Sequence, residues 1–391
     1  MNLPEGWKIT TLGEVSEFIN GDRGKNYPNQ KDFITTGIPF INAGHIQNGN
    51  INFDSMNYIS DQKFNCLGSG KVQHNDILYC LRGSLGKNAI VNDIKKGAIA
   101  SSLVIIRPHK NISTKYLYYF LNSPLGKTEI YKYDNGSSQP NLSAKSVKSY
   151  KIPLPPIASQ RTIANILDKA DEIIRKRKEA IALTEQLQKS IFLDMFGDPV
   201  INPKGWEVNK VIDYCDCIVP GRDKPKSFTG SIPWITTADL KFLDKTYFSN
   251  LNMKLSENEI KEVNAKIIPK NSVLLTCVGD LGVTSIAGCD MVVNQQLHSF
   301  QCKNINNYFL MYALPYQKIF MYKRATQTTV PYMNKNTCNS IPIIYPPRKL
   351  QEKFGILIAE INNKKGLYLK ALQESENLFN SLLQKAFKGE L

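Results

Sequence analysis

Three short motifs carry residue types that could do chemistry on a phosphate or a base, and the first is Gly68-Ser69-Gly70-Lys71. A phosphate-binding loop needs a glycine five residues before the glycine of its Gly-Lys pair and a Ser or Thr after the lysine, because backbone amides and that hydroxyl hold the phosphate and its magnesium. Asn65 and Val72 occupy those two positions. The segment therefore predicts a turn and not a nucleotide site.

The second motif, Glu259-Ile260-Lys261, matches half of a metal-dependent nuclease site, but it lies in a helix-like segment, 255–263, with no suitable acid upstream. The third is a Pro-Pro pair that occurs twice. An amino-methyltransferase needs a polar residue before its Pro-Pro-aromatic triplet to hold the target amine, and here Leu154 and Tyr345 precede the prolines. Neither motif predicts a catalytic centre.

Cysteine and histidine do not predict a metal site. The closest cysteines, Cys215 and Cys217, lack the two-residue gap of a zinc-binding pair, and no second pair completes four ligands. The four histidines stand apart in the sequence. We expect reduced, half-buried thiols in a chain that has no metal, cofactor or catalytic residue of its own, and that binds rather than catalyses.

Net charge indicates the class of partner. The 391 residues include 49 Lys and Arg against 34 Asp and Glu, a formal net charge of +15. Polyanions are natural partners of such a chain, because each neutralised phosphate releases counterions. Residues 1–7 do not have the pattern of a signal peptide, and the chain has no apolar run long enough for a membrane helix. We expect a cytoplasmic protein with no membrane partner.

The chain repeats itself, and the repeat predicts its organisation. Five landmarks recur in the same order, the second copy about 190–200 residues after the first: Gly6-Trp7 with Gly205-Trp206, Ile38-Pro39 with Ile232-Pro233, Asn75 with Asn271, Gly83-Ser84-Leu85-Gly86 with Gly279-Asp280-Leu281-Gly282, and Pro155-Pro156 plus Gln160 with Pro346-Pro347 plus Gln351. Strand-like runs (76–80, 103–107, 272–277 and 291–294) alternate with helical patches (114–122 and 307–321). Two similar α+β domains are therefore predicted, 1–156 and 197–347.

A long helix is predicted after each Pro-Pro pair, over 157–196 and 348–391. Apolar residues recur there at steps of four and three, which is typical of a coiled-coil seam. Each helix would be roughly 60 Å long, with Gly197 and Gly389 as stops. We expect the charged run 171–179 to be a solvated face. The seam positions are Ile163, Leu167, Ala170, Ile174, Ile181, Thr184, Gln188, Ile191 and Met195, then Leu350, Phe354, Leu357, Ile361, Lys364, Tyr368, Ala371, Ser375, Phe379, Leu382 and Ala386.

In their duplicated order, these segments resemble the specificity subunits of type I restriction-modification systems. The segments that carry the resemblance are the Leu-Pro-x-Gly-Trp start, 83–87, 136–142, 152–156 and the helix ends 194–199 and 386–391. The resemblance covers essentially the whole chain. It implies a pseudo-two-fold repeat in which each half carries one target-recognition domain for double-stranded DNA, and two antiparallel helices set the distance between the domains.

The resemblance also implies partners. Two methyltransferase subunits would dock on the helices and supply adenine methylation with S-adenosylmethionine. Motor-nuclease subunits would cut unmodified DNA with ATP and magnesium. The chain itself would only determine which DNA sequence the complex recognises.

Polar loop residues are the candidates for reading DNA, because base edges are recognised by Arg, Lys, Asn, Gln, Ser and Thr, and phosphates by Lys, Arg and backbone amides. In the first half the candidates are Arg23, Lys25, Asn42, His45, Arg82, Ser84, Lys87, Ser137, Ser138, Gln139 and Asn141. In the second half they are Arg222, Lys224, Lys226, Thr236, Thr237, Asp239, Asn294, Gln295, Gln296, Thr326, Gln327, Thr328 and Tyr332. Arg82 is the strongest candidate of the first half.

Two other interpretations remain open at this point. The chain could be a fragment of a fused restriction-methylation enzyme, which methyl transfer by the purified chain alone would support. It could also be a basic coiled-coil scaffold, which salt-sensitive binding without sequence preference would support.

If the helices space two domains about one duplex turn apart, some 34–36 Å, the target is two different half-sites with an unread gap. Four residues inserted into the helix 157–196 lengthen it by about 6 Å, close to two base pairs. We expect the preferred gap to lengthen accordingly when methylated sites are mapped. An unchanged gap would contradict the spacer hypothesis.

Overall fold

The protein, seen in a computed structural model, is described over residues 4–133, 141–221, 223–326 and 329–391. Its chain divides into two compact units, residues 1–177 with 371–391, and residues 178–370. Each unit therefore combines one mixed domain with part of each of two long helices.

The first unit holds its sheets in the first half of the chain. Its strands are β1 (Lys8–Thr11), β2 (Ser16–Asn20), β3 (Phe33–Ile34), β4 (Ile38–Ile41), β5 (Ile46–Gln47), β6 (Asn50–Ile51), β7 (Asn57–Ile59), β8 (Ile77–Cys80), β9 (Asn88–Ile90), β10 (Ala98–Ile99), β11 (Leu103–Pro108) and β12 (Lys151–Leu154). Its helices are α1 (Leu12–Val15), α2 (Asp61–Cys66), α3 (Thr114–Asn122), α4 (Pro124–Tyr133), α5 (Ala144–Lys148) and the start of α6 (Ile157–Phe196). The sheets have the strand orders β2-β11-β8-β9, β10-β4-β7-β3, β1-β12 and β5-β6.

The second unit repeats this plan. Its strands are β13 (Glu207–Lys210), β14 (Cys215–Ile218), β15 (Ile232–Ile235), β16 (Lys245–Thr246), β17 (Lys254–Leu255), β18 (Ile267–Ile268), β19 (Val273–Thr276), β20 (Thr284–Ala287), β21 (Met291–Val293), β22 (Leu297–Cys302) and β23 (Pro342–Tyr345). Its helices are α7 (Glu257–Glu262), α8 (Asn307–Ala313), α9 (Lys318–Arg324), α10 (Lys335–Asn339) and most of α11 (Arg348–Lys388). The sheets have the orders β14-β22-β19-β20-β16, β17-β15-β21-β18 and β13-β23.

The strand predictions over 76–80, 103–107, 272–277 and 291–294 are confirmed by β8, β11, β19 and β21, and the helix over 114–122 by α3. The helical patch predicted over 307–321 is also confirmed, with a 3-10 turn at Leu314–Gln317 between α8 and α9. Pro315 lacks an N–H and its ring clashes with the preceding turn, so a regular helix cannot continue through it.

A buried glutamine ties each long helix to the domain before it. Its side-chain oxygen accepts a hydrogen bond from the backbone at the entrance to a domain helix, and its amide donates to the carbonyl of the first proline in the Pro-Pro pair. Both ends of a buried amide are thus satisfied, which fixes the direction in which the long helix leaves its domain. The bonds are Ser113 N–H to Gln160 (2.8 Å), Gln160 to Pro155 (2.9 Å), Asn306 N–H to Gln351 (2.9 Å) and Gln351 to Pro346 (2.8 Å).

Each long helix ends on a phenylalanine and a glycine. Phe196 is buried against Phe309 in the second unit, and Phe387 against Tyr116 in the first. Gly197 and Gly389 have φ of +75° and +77°, the left-handed conformation that ends helices and that glycine adopts at little cost. Both predicted stops are confirmed.

The two long helices pair antiparallel in the second unit. Gln188 of α6 donates to Asn362 of α11 (2.6 Å), and Glu185 accepts from Lys365 (3.3 Å), so residues later in one helix meet residues earlier in the other. Every predicted seam residue of α6 is buried or half-buried, and Gln188 lies on the paired face. The charged run 171–179 is mostly exposed, as expected, with Ile174 turned inward.

The predicted seam of α11 is wrong at Lys364 and Tyr368, which are exposed. The buried position is Lys365, whose ammonium group lies 3.3 Å from Glu185 and 3.4 Å from Asp244. Asp244 comes from the domain and not from either helix. Because two carboxylates compensate the buried charge, a lysine replaces the apolar residue that a regular seam would place here.

A buried histidine lies in the central sheet of the second unit. Nε2 of His298 on β22 is 3.2 Å from Cys217 Sγ and 3.1 Å from Asn339 Oδ1. Burial, opposed by the hydrogen bond to Asn339 and helped by the nearby Lys335, lowers the pKa of His298 to about 4. The corresponding residue of β11 is Val104, since Leu103 and Leu297, one residue earlier, pair with Cys80 and Thr276 at equivalent places.

We predict that acidification destabilises the second unit through His298. The unfolded chain protonates this histidine near pH 6.5 whereas the folded unit resists protonation until about pH 4, so stability is lost as the pH falls through this window, with a slope approaching about 1.4 kcal/mol per pH unit. Urea unfolding of the wild-type chain at several pH values measures the slope. His298→Val should remove this contribution, and the control His109→Ala, at an exposed position, should retain it. Equal slopes for wild type and His298→Val would refute the assignment.

Candidate nucleic-acid interface

The same exposed turn follows the central strand of each unit. In the first unit it runs from Leu81 to Gly86, and the Leu142 N–H donates to the Leu81 carbonyl (2.8 Å). In the second unit it starts at Cys277, whose carbonyl accepts from the Met333 N–H (2.9 Å). A segment near the end of each domain is thus hydrogen-bonded to the turn.

The residue that follows Leu81 in the first unit differs from the one that follows Cys277 in the second. Arg82 forms a bridge with Asn141, and Val278 forms the equivalent bridge with Tyr332. Arg82, Asn141 and Tyr332 are exposed. The structure thus brings together two candidates of the first half that are 59 residues apart (141 − 82 = 59), and it places tyrosine where the first unit has asparagine.

A cleft of about 560 Å³ opens beside the turn of the first unit. Gly83, Gly86 and Lys87 line one side, and Lys127 and Tyr131 of α4 line the other. Ser84 is exposed on the same turn and Lys87 is half-exposed. Two lysines thus make the cleft basic, although Leu85, Leu121 and Ile130 also line it, and it lies next to Arg82.

The sequence analysis missed Lys127 and Tyr131, and also Lys318 and Tyr322 at the equivalent turn. Both pairs have the spacing that separates the Pro-Pro pairs (318 − 127 = 191; 322 − 131 = 191; 346 − 155 = 191). That shared spacing is the signal that could have found them. Tyr131 is 77% exposed, the behaviour of a binding residue more than of a packed one.

Arg23 and Lys25 are exposed on the loop that follows β2. Asp22 holds this loop by accepting from the N–H groups of Gly24 and Gly68, both at 2.8 Å, and these bonds lower the pKa of Asp22. Gly68 belongs to the segment predicted to be a turn rather than a phosphate loop, and the structure confirms a bend there.

The structure removes His45 and Asp239 from the set of DNA-reading candidates. His45 is buried, with Nδ1 accepting from the Asn42 N–H (3.1 Å) and Nε2 bonded to the Ser55 carbonyl (3.1 Å). Burial also lowers the pKa of His45. Asp239, 194 residues later (239 − 45 = 194), is buried and accepts from Thr236 N–H (2.8 Å). Both close a short 3-10 turn, and their spacing of three from a polar residue is that of a capping box.

Asn42 and Thr236, the other residues of these turns, are also committed to capping. Asn42 accepts from the Gly44 N–H (2.8 Å), and the Thr236 hydroxyl donates to Asp239 (2.8 Å). Thr237 is half-exposed beside them. Their side chains therefore shape the loop more directly than they can read a base.

The remaining candidates of the second unit lie on three loops. Lys224 and Lys226 are exposed after β14. Gln295 is exposed, whereas Asn294 and Gln296 bond to one another at 3.1 Å. Thr326 forms a bridge with Tyr332. Six candidates lie outside the described residues: Ser137, Ser138, Gln139, Arg222, Gln327 and Thr328.

The described residues contain no group of three or more His, Cys, Asp or Glu that could hold a metal ion. Glu259 of the nuclease-like motif caps α7 instead, accepting from the Ser256 N–H (2.7 Å) and from Thr229. Hydrogen bonds from the Ser227 side chain and from these two residues lower the pKa of Glu259 to about 2. Burial raises the pKa of Cys217 beside His298, so this pair is not an activated thiolate. None of the described helices is sufficiently long and apolar to cross a bilayer.

We predict that the two glycines of the first turn tolerate alanine differently. Both have positive φ, +76° at Gly83 and +77° at Gly86, so each substitution costs about 1–2 kcal/mol of backbone strain. A Cβ at Gly83 meets open space, whereas one at Gly86 lies 2.4 Å from Ile130 Cδ1, and turning that terminal methyl away adds about 0.5–1.5 kcal/mol. Calorimetry should show the larger loss of stability for Gly86→Ala. Equal losses would contradict the close packing of the turn on α4.

Comparison with known proteins agrees with this architecture. The sequence model of the family described as "Type I restriction modification DNA specificity domain" matches residues 4–183 and again 203–375. The type I restriction enzyme StySPI specificity subunit of Salmonella potsdam is 25% identical, over 100% of this chain and 90% of its own length. The MjaIX specificity subunit of Methanocaldococcus jannaschii is 22% identical, over 100% and 94%.

Solved structures share the fold. The S subunit of a type I restriction-modification system from M. genitalium superposes with a TM-score of 0.63 at 17% identity, covering 99% of this chain and 96% of that one. A chain from a study of complex assembly in the type I R-M system superposes with a TM-score of 0.60 at 20% identity, over the full length of both. With two matched segments that together cover most of its length, the chain belongs to the type I restriction modification DNA specificity domain family and carries that domain twice.

Proposed function

We propose that this chain recognises an asymmetric, bipartite site in double-stranded DNA and directs partner subunits to it. The observation that carries the proposal is the duplicated turn. Both units present it on the same hydrogen-bonded frame, but the residues on it differ. The first unit exposes Arg82, Ser84 and Asn141, whereas the second exposes Asp280 and Tyr332 and has the half-buried Val278 in place of Arg82. A conserved frame with unlike exposed groups is what reading two unlike half-sites requires.

Direct recognition of bases needs exposed side chains whose hydrogen-bond donors and acceptors can reach the base edges. Arg82 is exposed and can present two parallel N–H groups to the major-groove edge of a guanine, and Asn141 beside it can pair with an adenine. Tyr332 offers a ring and one hydroxyl, which suit a thymine methyl or a phosphate. Each half therefore has the means to select different bases.

The partners in this proposal are two methyltransferase subunits, joined by motor-nuclease subunits in the full complex. The candidates for docking them are the exposed faces of α6 and α11, where Leu183, Leu187, Leu367 and Leu378 are among the exposed apolar residues. S-adenosylmethionine, ATP and magnesium would be bound by those partners, and this chain would remain non-catalytic. Because the substrate is cellular DNA, the chain would work in the cytoplasm.

Methylation mapping tests the proposal. DNA from cells that express this chain with its cognate methyltransferase subunit is compared with DNA from cells that express that subunit alone. We expect methyl-adenine in a split, asymmetric motif only when this chain is present, because the chain supplies the sequence preference.

Two controls separate the alternatives. Methyl transfer by the purified chain alone would favour a fragment of a fused enzyme. No chain-dependent motif, with both proteins folded and associated, would refute the proposal and favour a scaffold that binds DNA without preference.

A further inference from the structure

The two duplicated turns differ in charge in a way that their shared frame does not require. In the second unit the Lys318 ammonium lies 2.6 Å from Asp280 Oδ1, and the Tyr322 hydroxyl is 3.4 Å from the same oxygen. That hydroxyl also donates to the Gly279 carbonyl (3.3 Å). A carboxylate on the turn is thus held by a lysine and a tyrosine of α9.

The first unit has the same lysine and tyrosine without the carboxylate. Ser84 is the counterpart of Asp280 (280 − 84 = 196, the spacing of both turn glycines). Gly86 packs on Ile130, and Gly282 packs on Met321. Ile130 and Met321 are separated by 191 residues (321 − 130 = 191), the same spacing as the two lysines and the two tyrosines. Lys127 and Tyr131 therefore occupy the places of Lys318 and Tyr322.

Among the described residues, the lysines of the first unit's cleft consequently have no carboxylate partner. Lys127 is exposed, and over the described residues no carboxylate lies within ion-pair distance of Lys127 or Lys87. Tyr131, at the mouth, is 77% exposed. The cleft, of about 560 Å³, has room for an anionic group and a bridging water.

We propose that the cleft formed by Gly83, Gly86, Lys87, Lys127 and Tyr131 binds a phosphate of the DNA backbone, and that Asp280 fills the equivalent position in the second unit so that no phosphate binds there. The inference rests on the proposed function, because it takes DNA as the ligand. The carboxylate of Asp280 occupies the position that we assign to the phosphate in the first unit. Its contacts show that a lysine and a tyrosine at these positions converge on one negatively charged oxygen.

The proposal gives the two units different roles at their turns. In the first unit Lys127 would anchor the turn to the backbone and thereby set how Arg82 enters the groove. In the second unit Lys318 is already neutralised, so the turn contributes no counterion release. One phosphate contact more or less changes the slope of log affinity against log salt by about one.

The test measures duplex binding by the full chain, in complex with its methyltransferase subunit, between about 50 and 200 mM salt. Four variants are compared: Lys127→Ala and Ser84→Asp in the first unit, Asp280→Ser in the second, and Lys110→Ala as a control at an exposed lysine away from the cleft lining. Thermal unfolding confirms that each variant is folded. Two duplexes are used, one with the mapped motif and one with its bases scrambled.

We expect Lys127→Ala and Ser84→Asp each to lower the salt slope by about one, equally on both duplexes, and Asp280→Ser to raise it by about one. Lys110→Ala should leave the slope unchanged. A slope for Lys127→Ala equal to that of the control would overturn the phosphate site. So would a change in preferred bases without a change of slope, since Lys127 would then read a base.

Failure of the inference can be told from failure of the proposed function. If the wild-type complex does not prefer the motif duplex, sequence recognition fails, yet the slope comparison on either duplex still decides the phosphate site. If the wild type prefers the motif and the Lys127 and Ser84 variants keep its slope, only the phosphate site fails.

Discussion

The buried amide of Gln160, and that of Gln351 in the second unit, joins the first turn of each long helix to the domain before it. A helix of about 40 residues cannot position a domain unless its start is rigidly fixed, and each amide has both its oxygen and its nitrogen satisfied by backbone groups. Losing either partner would leave a buried polar group unpaired, at a cost of about 1–3 kcal/mol. The Pro-Pro pair adds stiffness at the same point, because its φ angles are restricted.

The far end of each helix is fixed by packing instead. Phe196 lies among Phe192, Phe309 and Phe354 in the second unit, and Phe387 lies against Tyr116 and Phe120 in the first. A polar clamp at the start and an aromatic anchor at the end hold each helix firmly in the unit to which that end belongs. Between them the helices carry Gln188, Asn362 and Lys365 on the paired face of the second unit. Polar groups at such positions weaken a seam but disfavour slipped registers, because only one register pairs them.

Much of this frame could be predicted from the sequence because it was duplicated. A constant spacing between the two halves identifies residues that have the same structural role in each unit. Such spacings located the central strands and the ends of both helices. The errors had two sources, a partner distant in sequence in one case and local capping in the others. Lys365 replaces Lys364 on the buried face because Asp244, more than 100 residues away, compensates its charge. His45 and Asp239 resembled loop residues free for binding, but the capping-box spacing to Asn42 and Thr236 commits them to the turns.

The buried frame of the turn is constrained by packing and backbone conformation, whereas its exposed side chains are not. This difference explains why the same fold can serve two half-sites. Gly86 and Gly282 must keep positive φ and allow close approach of Ile130 and Met321, so these positions have little freedom. Position 84 and its counterpart 280 face solvent, and exchange of a hydroxyl for a carboxylate there costs the fold little. The consequence for binding is large, since one internal carboxylate cancels the charge of the lysine opposite it. A duplicated frame can therefore acquire two unlike binding surfaces through single exposed substitutions, without altering the buried contacts that hold the helices.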